Sequence, residues 1–186
     1  MLSVLLIGFS LSMNACAVTV TNAVTLRPFR RRDMLLSAVY FGGFQFLMPL
    51  LGALLAGTVS GHLIRWGPFI SFVLLGYIGV KMILDAMRSG EEDAPGAAEL
   101  THARLLALAV ATSIDALAVG VSFAFSPPEP GVWLSCILIG CTTFCLTLFA
   151  AAMGRRFNTL HPRRAGVLGG SVLLIIGIKL LLEGLF

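Results

Sequence analysis

The chain has 186 residues, of which 58% are hydrophobic and only 12% charged, and its mean hydropathy is +0.95. Soluble domains are typically about half apolar and about a quarter charged, so this balance excludes an ordinary soluble domain and points to a protein of the lipid bilayer. The formal charge of +4 lies largely in arginines clustered in short loops, where it reads as a membrane-orientation signal and argues against nucleic acid as a partner.

A helix needs about 20 apolar residues to cross the hydrocarbon core. Six segments meet that length: Leu2–Val24, Met34–Gly57, Trp66–Met87, Ala103–Phe125, Val132–Gly154 and Ala165–Leu185. The expected fold class is therefore an all-α integral membrane protein with six transmembrane helices, leaving little chain for a soluble domain.

The first segment imitates a secretory leader, with an apolar run over Leu2–Met13 and a cleavage-like Ala15-Cys16-Ala17. No Lys or Arg precedes that run, and Met13 and Asn14 are unsuited to the positions before a lipoprotein cysteine, so a retained helix is expected. Ser10, Asn14 and Thr21 fall on one of its faces. The loop that follows carries Arg27, Arg30, Arg31 and Arg32.

The second segment places Gln45 near mid-depth, and the short loop after it holds Gly61, His62 and Arg65. The third ends with Lys81 and Asp85 four residues apart, a spacing for a helical ion pair near the headgroups. Residues 88–102, with Glu91, Glu92, Asp93, Pro95 and Gly96, read as a flexible, solvated acidic linker.

The fourth segment carries Thr112, Asp115 and Ser122 on one face, with Ser113 beside them. It ends at the proline-rich Ser126-Pro127-Pro128-Glu129-Pro130. Thr142 or Thr143 lies at mid-depth in the fifth, which runs into Arg155, Arg156, Arg163 and Arg164; Lys179 and Glu183 in the sixth repeat the Lys81/Asp85 spacing. Positive charge in the first and fifth loops places both in the cytoplasm, with the linker, and both termini outside.

The four cysteines, Cys16, Cys136, Cys141 and Cys145, lack C-x-x-C spacing and read as small buried apolar side chains.

The linker divides two similar halves, 1–87 and 103–186. Leu11-Ser12-Met13-Asn14-Ala15-Cys16-Ala17-Val18 aligns without a gap with Thr112-Ser113-Ile114-Asp115-Ala116-Leu117-Ala118-Val119. Gly42 and Phe46 align with Gly140 and Phe144, and Gly79 to Asp85 with Gly177 to Glu183. Three spans per half make the second half enter the membrane in the opposite sense, the pattern of transporters that alternate access about a midplane site at the repeat interface. Cys16 has Leu117 as its counterpart, which argues against a symmetric thiol-redox enzyme.

Asn14 and Asp115 are equivalent and central. A carboxylate at that depth costs about 2.5–3.5 kcal/mol on insertion scales, so it marks a functional position. Its neighbours Ser12, Ser113, Gln45 and Thr143 add neutral oxygens, although hydroxyls also bond back to their own helix and amides also join helices. Such hard donors suit Mg, Ca or Mn, and a thioether such as Met13 would favour the softer of these; the donor set alone stops at a divalent cation or a proton.

The paired Ser-Met-Asn-Ala and Thr-Ser-Ile-Asp-Ala-Leu-Ala-Val-Gly-Val-Ser segments, with Phe41-Gly42-Gly43-Phe44-Gln45-Phe46-Leu47-Met48-Pro49-Leu50-Leu51-Gly52, resemble the MntP-type family of bacterial manganese efflux pumps. The resemblance covers essentially the whole chain. It implies a six-helix inner-membrane exporter of manganese(II), with manganese as substrate and no cofactor, and an aspartate of each half-repeat in the cation path. Asp115 matches the second aspartate; the first is Asn14 here. An amide keeps one carbonyl oxygen for a metal but brings no charge and carries no proton.

Export against an inside-negative potential costs a divalent ion about 4.6 kcal/mol per 100 mV, so inward protons are the expected drive. Export of another cation or a small zwitterion, and a membrane protein of this fold that has lost transport, are the alternatives that Asn14 leaves open.

Overall fold

The computed structural model describes residues 1–26, 29–56, 60–88, 100–156 and 162–185, all as helices or short connections. Side chains of 60–65 are not among those described, so the expected roles of Gly61, His62 and Arg65 lie outside them, as do Arg27 and linker residues 89–99. The helices are α1 (Leu2–Thr25), α2 (Arg31–Leu55), α3 (Ser60–Arg88), α4 (His102–Phe125), α5 (Val132–Arg156) and α6 (Pro162–Leu185). All six hold apolar windows long enough to cross a bilayer. Helices satisfy their own backbone groups, which is why a chain without water around it takes this form.

Local chemistry sets the ends. α2 begins three residues before the apolar run because Asp33 accepts from the Arg30 backbone N–H at 2.7 Å and lies in the first turn, where the helix dipole favours an acid. α4 stops at Phe125 because Pro127, Pro128 and Pro130 cannot continue it. Gly131, with φ +106°, makes the return turn into α5 and donates its N–H to the Pro128 carbonyl at 2.6 Å. α3 starts at Ser60 instead of Trp66, since a polar turn can extend a helix beyond the hydrocarbon.

The packing crosses the halves. α3 runs along α6, α1 along α5, and α2 along both α4 and α5; α4 also leans on α3, and α1 on α6. Consecutive α1 and α2 barely touch, and neither do α4 and α5. The largest core cluster accordingly joins Ala15 and Val18 of α1, Phe41 of α2, Leu75 of α3, Leu105 and Leu108 of α4 and Leu173 of α6. Neither half has this core to itself.

Close approach of the backbones depends on small residues, as in membrane bundles generally. Gly42 of α2 and Gly140 of α5 face one another: a Cβ on Gly42 would lie 3.1 Å from the Gly140 carbonyl and 2.9 Å from Phe144 Cβ, and one on Gly140 would lie 3.0 Å from the Gly42 carbonyl. A cavity of about 420 Å³ over this crossing is lined by Phe46, Ile137, Phe144 and the two glycines, with Cys141 and Cys145. Those two cysteines are exposed and Cys16 is half-buried, so the expectation of burial holds fully only for Cys136.

Candidate functional site

α1 and α4 meet over a short stretch, and there the two equivalent polar residues touch. The Asn14 Nδ2 donates to Asp115 Oδ2 at 3.3 Å. The other oxygen of Asp115 accepts from the Ala116 backbone N–H at 2.9 Å. Asn14 is buried and Asp115 half-buried. Both lie in the middle of their helices, about ten or more residues from either end, which is mid-bilayer at about 1.5 Å per residue.

Gln45 reaches this level from α2. Its Nε2 donates to the Leu11 carbonyl of α1 at 3.1 Å, less than one turn from Asn14, while its Oε1 is buried with no partner. Pro49, four residues on, brings no N–H, so the backbone carbonyl of Gln45 also loses its intrahelical donor. A fully buried amide oxygen without a partner is costly in an apolar setting. It is also the sort of hard oxygen that a divalent cation takes.

The remaining expected ligands point elsewhere. Ser12 and Thr143 are both fully buried and meet each other across the α1–α5 contact, with Oγ and Oγ1 2.8 Å apart, and each is also within reach of the carbonyl of its own preceding turn, Gly8 and Ile139, so that their two protons are shared among three contacts. Thr142, the alternative at that depth, bonds the Leu138 carbonyl of its own helix. Ser113 bonds back to its own helix, at the Ala109 carbonyl (2.6 Å) and the Val110 carbonyl (3.3 Å). The six candidates therefore separate into an Asn14–Asp115 pair, Gln45 at the adjacent turn, a Ser12–Thr143 pair on the far side of α1, and Ser113 on its own helix.

Exposure is uneven along the two polar helix faces. Ser10 and Ser122 are exposed, whereas Thr21 and Thr112 are buried, so the polar face is covered toward the linker end and uncovered toward the other. Met13 is 56% exposed, because one residue along a helix turns the side chain about 100° away from Asn14. Two other thioethers do meet polar groups: Met82 of α3 accepts from Arg104 Nη2 at 2.9 Å, and Met34 of α2 from Arg155 Nη1 at 3.3 Å. Arg104 also donates to Asn22 Oδ1 at 3.2 Å. Sequence reasoning passed over this cluster, since an arginine three residues into a span after a linker looks like any orientation charge.

The Lys179–Glu183 pair forms at 3.4 Å with both side chains exposed, as its spacing predicts. Among the described residues, no three His, Cys, Asp or Glu side chains converge. A cation at Asp115 would thus complete its shell from neutral oxygens.

Six bilayer-length helices, with a carboxylate bound to a carboxamide between two of them, define a polytopic membrane protein with an acidic group inside its bundle. Residues 28–181 match the family model described as "Putative manganese efflux pump". The chain is similar to proteins described as "Putative manganese efflux pump MntP" from Methanosarcina mazei, Bifidobacterium adolescentis and Clostridium perfringens. The first is 43% identical over 178 residues, covering 96% of this chain and 94% of the relative. The second is 42% identical over 185 residues, covering 100% and 97%, and the third 38% identical over 202 residues, covering 98% and 94%. No solved structure matches significantly. The chain belongs to the MntP manganese efflux pump family, a family of transporters and not of enzymes, for which manganese is cargo and not a resident cofactor.

Proposed function

We propose that this protein exports manganese(II) across the plasma membrane by alternating access, with protons moving inward as the driving ion. The reading rests on one observation above all: the Asn14 Nδ2–Asp115 Oδ2 contact of 3.3 Å between α1 and α4. Asp115 supplies the charge that a divalent ion requires in a low-dielectric setting, and Asn14 turns its carbonyl oxygen inward when the ion replaces the hydrogen bond. Gln45 contributes Oε1, which has no competing partner.

The two-repeat organisation, 1–87 and 103–186, is part of the proposal. Its support is that exchanging α1 with α4, α2 with α5 and α3 with α6 converts each strong helix pairing into another strong pairing or into itself. A site on the axis of such an exchange can be approached from either face by rocking one set of helices on the other. The linker and the arginine-rich loops lie in the cytoplasm and both termini outside, by the positive-charge rule. Ser12 and Thr143 then hold α1 to α5, and Ser113 steadies α4.

Everted membrane vesicles test this directly, because export appears as uptake of manganese(II) into an acidified lumen. Wild type is expected to take up the ion and to release lumenal protons as it does so. Asp115→Asn, which removes the charge but keeps the size, is expected to abolish uptake at unchanged membrane content. Uptake by that variant at the wild-type rate would refute the assignment.

A further inference from the structure

Two guanidinium–thioether contacts tie helices together at the linker end of the bundle. Arg155, near the end of α5, donates from Nη1 to the Sδ of Met34, in the first turn of α2, at 3.3 Å. Arg104, in the first turn of α4, donates from Nη2 to Met82 Sδ of α3 at 2.9 Å. Each methionine stands between an apolar surface and its arginine: Met34 packs on the cluster of Ala23, Leu26, Phe29 and Ala151, and Met82 on the cluster that holds Leu105, Leu108 and Leu173. Both methionines are half-buried, so neither is sealed in the core. The alignment that pairs Gly42 with Gly140 and Gly79 with Gly177 carries Met34 to Val132 and Met82 to Leu180, so the opposite end of the bundle has no thioether at either place.

A thioether is a weak acceptor and holds an arginine loosely. Hydrogen peroxide changes that. The sulfur lone pair attacks one peroxide oxygen, an S–O bond forms as the O–O bond breaks, sulfur gives up two electrons, and the other oxygen takes the released proton and leaves as water. The sulfoxide oxygen is a strong dipolar acceptor, and a guanidinium already beside the sulfur then makes a charge-assisted hydrogen bond to it. An oxygen turned the other way, into the apolar clusters, would be a buried polar atom without a partner, which is costly. The arginine side is therefore the favoured one.

We propose that Met34 and Met82 are a peroxide-responsive modification site, whose sulfoxides clamp Arg155 and Arg104, hold α2 against α5 and α3 against α4, and keep the linker end of the bundle shut. This rests on the transport reading above, in which that end must open to admit manganese from the cytoplasm. Oxidation then retains manganese in the cell, and reduction of the sulfoxides releases the pump. Arg104 precedes Asp115 on α4 by about 16 Å along the axis. The clamp thus acts on opening and leaves the central ligands as they are, so it lowers the maximal rate.

The test is manganese uptake by everted vesicles, whose outer surface is the linker side, before and after hydrogen peroxide. In wild type, peptide mass spectrometry is expected to find one added oxygen on Met34 and on Met82, and the maximal rate to fall about tenfold, equal to about 1.4 kcal/mol of added hold. The two methionine sulfoxide reductases, one for each epimer, are expected to restore the rate, and a thiol reductant alone, which reverses only cysteine oxidation, is not. Met34→Leu with Met82→Leu, a volume-conserving change, is expected to transport as wild type and to ignore peroxide, although Met13, Met87 and Met153 stay exposed. Met82→Leu alone is expected to keep part of the slowing, and adding Arg155→Ala to remove it while Met34 is still oxidised. A rate that falls in the double leucine variant, that rises on oxidation, or that still falls without Arg155 overturns the proposal. If the double leucine variant fails to insert, each single leucine variant is expected to lose part of the response, and a full response in both overturns the proposal. Untreated wild type that moves no manganese removes the transport reading and the clamp together, whereas active wild type that resists oxidation at both methionines, or is oxidised there at an unchanged rate, removes the clamp alone.

Discussion

Placing a second acid beside Asp115, by Asn14→Asp, converts the central contact from attraction to repulsion. Two carboxylates separated by the same 3.3 Å would repel by about 5 kcal/mol at an effective dielectric of about 20. A divalent cation between the oxygens relieves this. If the metal recovers only about 1.4 kcal/mol of it, affinity rises about tenfold. Protons relieve the same repulsion and therefore compete, so manganese affinity in the variant should climb with pH more steeply than in wild type, each bound ion displacing more protons. Purified protein in detergent, titrated with manganese(II) while thermal unfolding is followed, reads both effects as a larger metal-dependent rise in Tm at higher pH. A variant that inserts normally yet shows no more metal stabilisation than wild type would refute the reasoning, because the added charge would then not face Asp115.

Gln45→Leu is expected to raise the KM for manganese by removing the unpartnered Oε1 while leaving stability nearly unchanged, because the lost hydrogen bond between helices, worth about 0.6 kcal/mol on average, is offset by removal of a buried unpaired oxygen; transport kinetics and thermal unfolding separate the two roles. Gly120→Val is expected to destabilise the α2–α4 contact by about 1–3 kcal/mol, because its Cβ would fall on the Pro49 carbonyl. Gly43→Ala, where a Cβ meets nothing within 4 Å, serves as the silent control in the same unfolding assay.

The spans were legible because lipid imposes a single requirement, apolar length, that composition reports directly. Their polar extensions were not: α3 reaches back to Ser60 through residues that hydropathy discards. Asn14 and Asp115 stand at matching places in the two aligned segments, and the structure brings their side chains into contact. Which helix lies beside which is carried by glycine and side-chain fit across the halves, and no periodicity along one segment reveals it. Hence the Ser12–Thr143 bond, which needs α1 against α5, could not be foreseen, and Met13 was credited to a site from which one step of helical rotation removes it. Arg104 was hidden for a related reason, as its partners come from α1 and α3 and only the assembled end of the bundle distinguishes it from a loop arginine.

The crossing of helices between halves bears on how the protein is made. As synthesis proceeds, α1 and α2 enter the bilayer with their chief neighbours, α5 and α4, still unsynthesised, and α3 waits for α6. The first three helices must persist as separately inserted, lipid-solvated rods until the last three arrive, so assembly of the bundle follows translation of nearly the whole chain. Two polypeptides divided within the linker should for the same reason find each other in one membrane and remain inert apart.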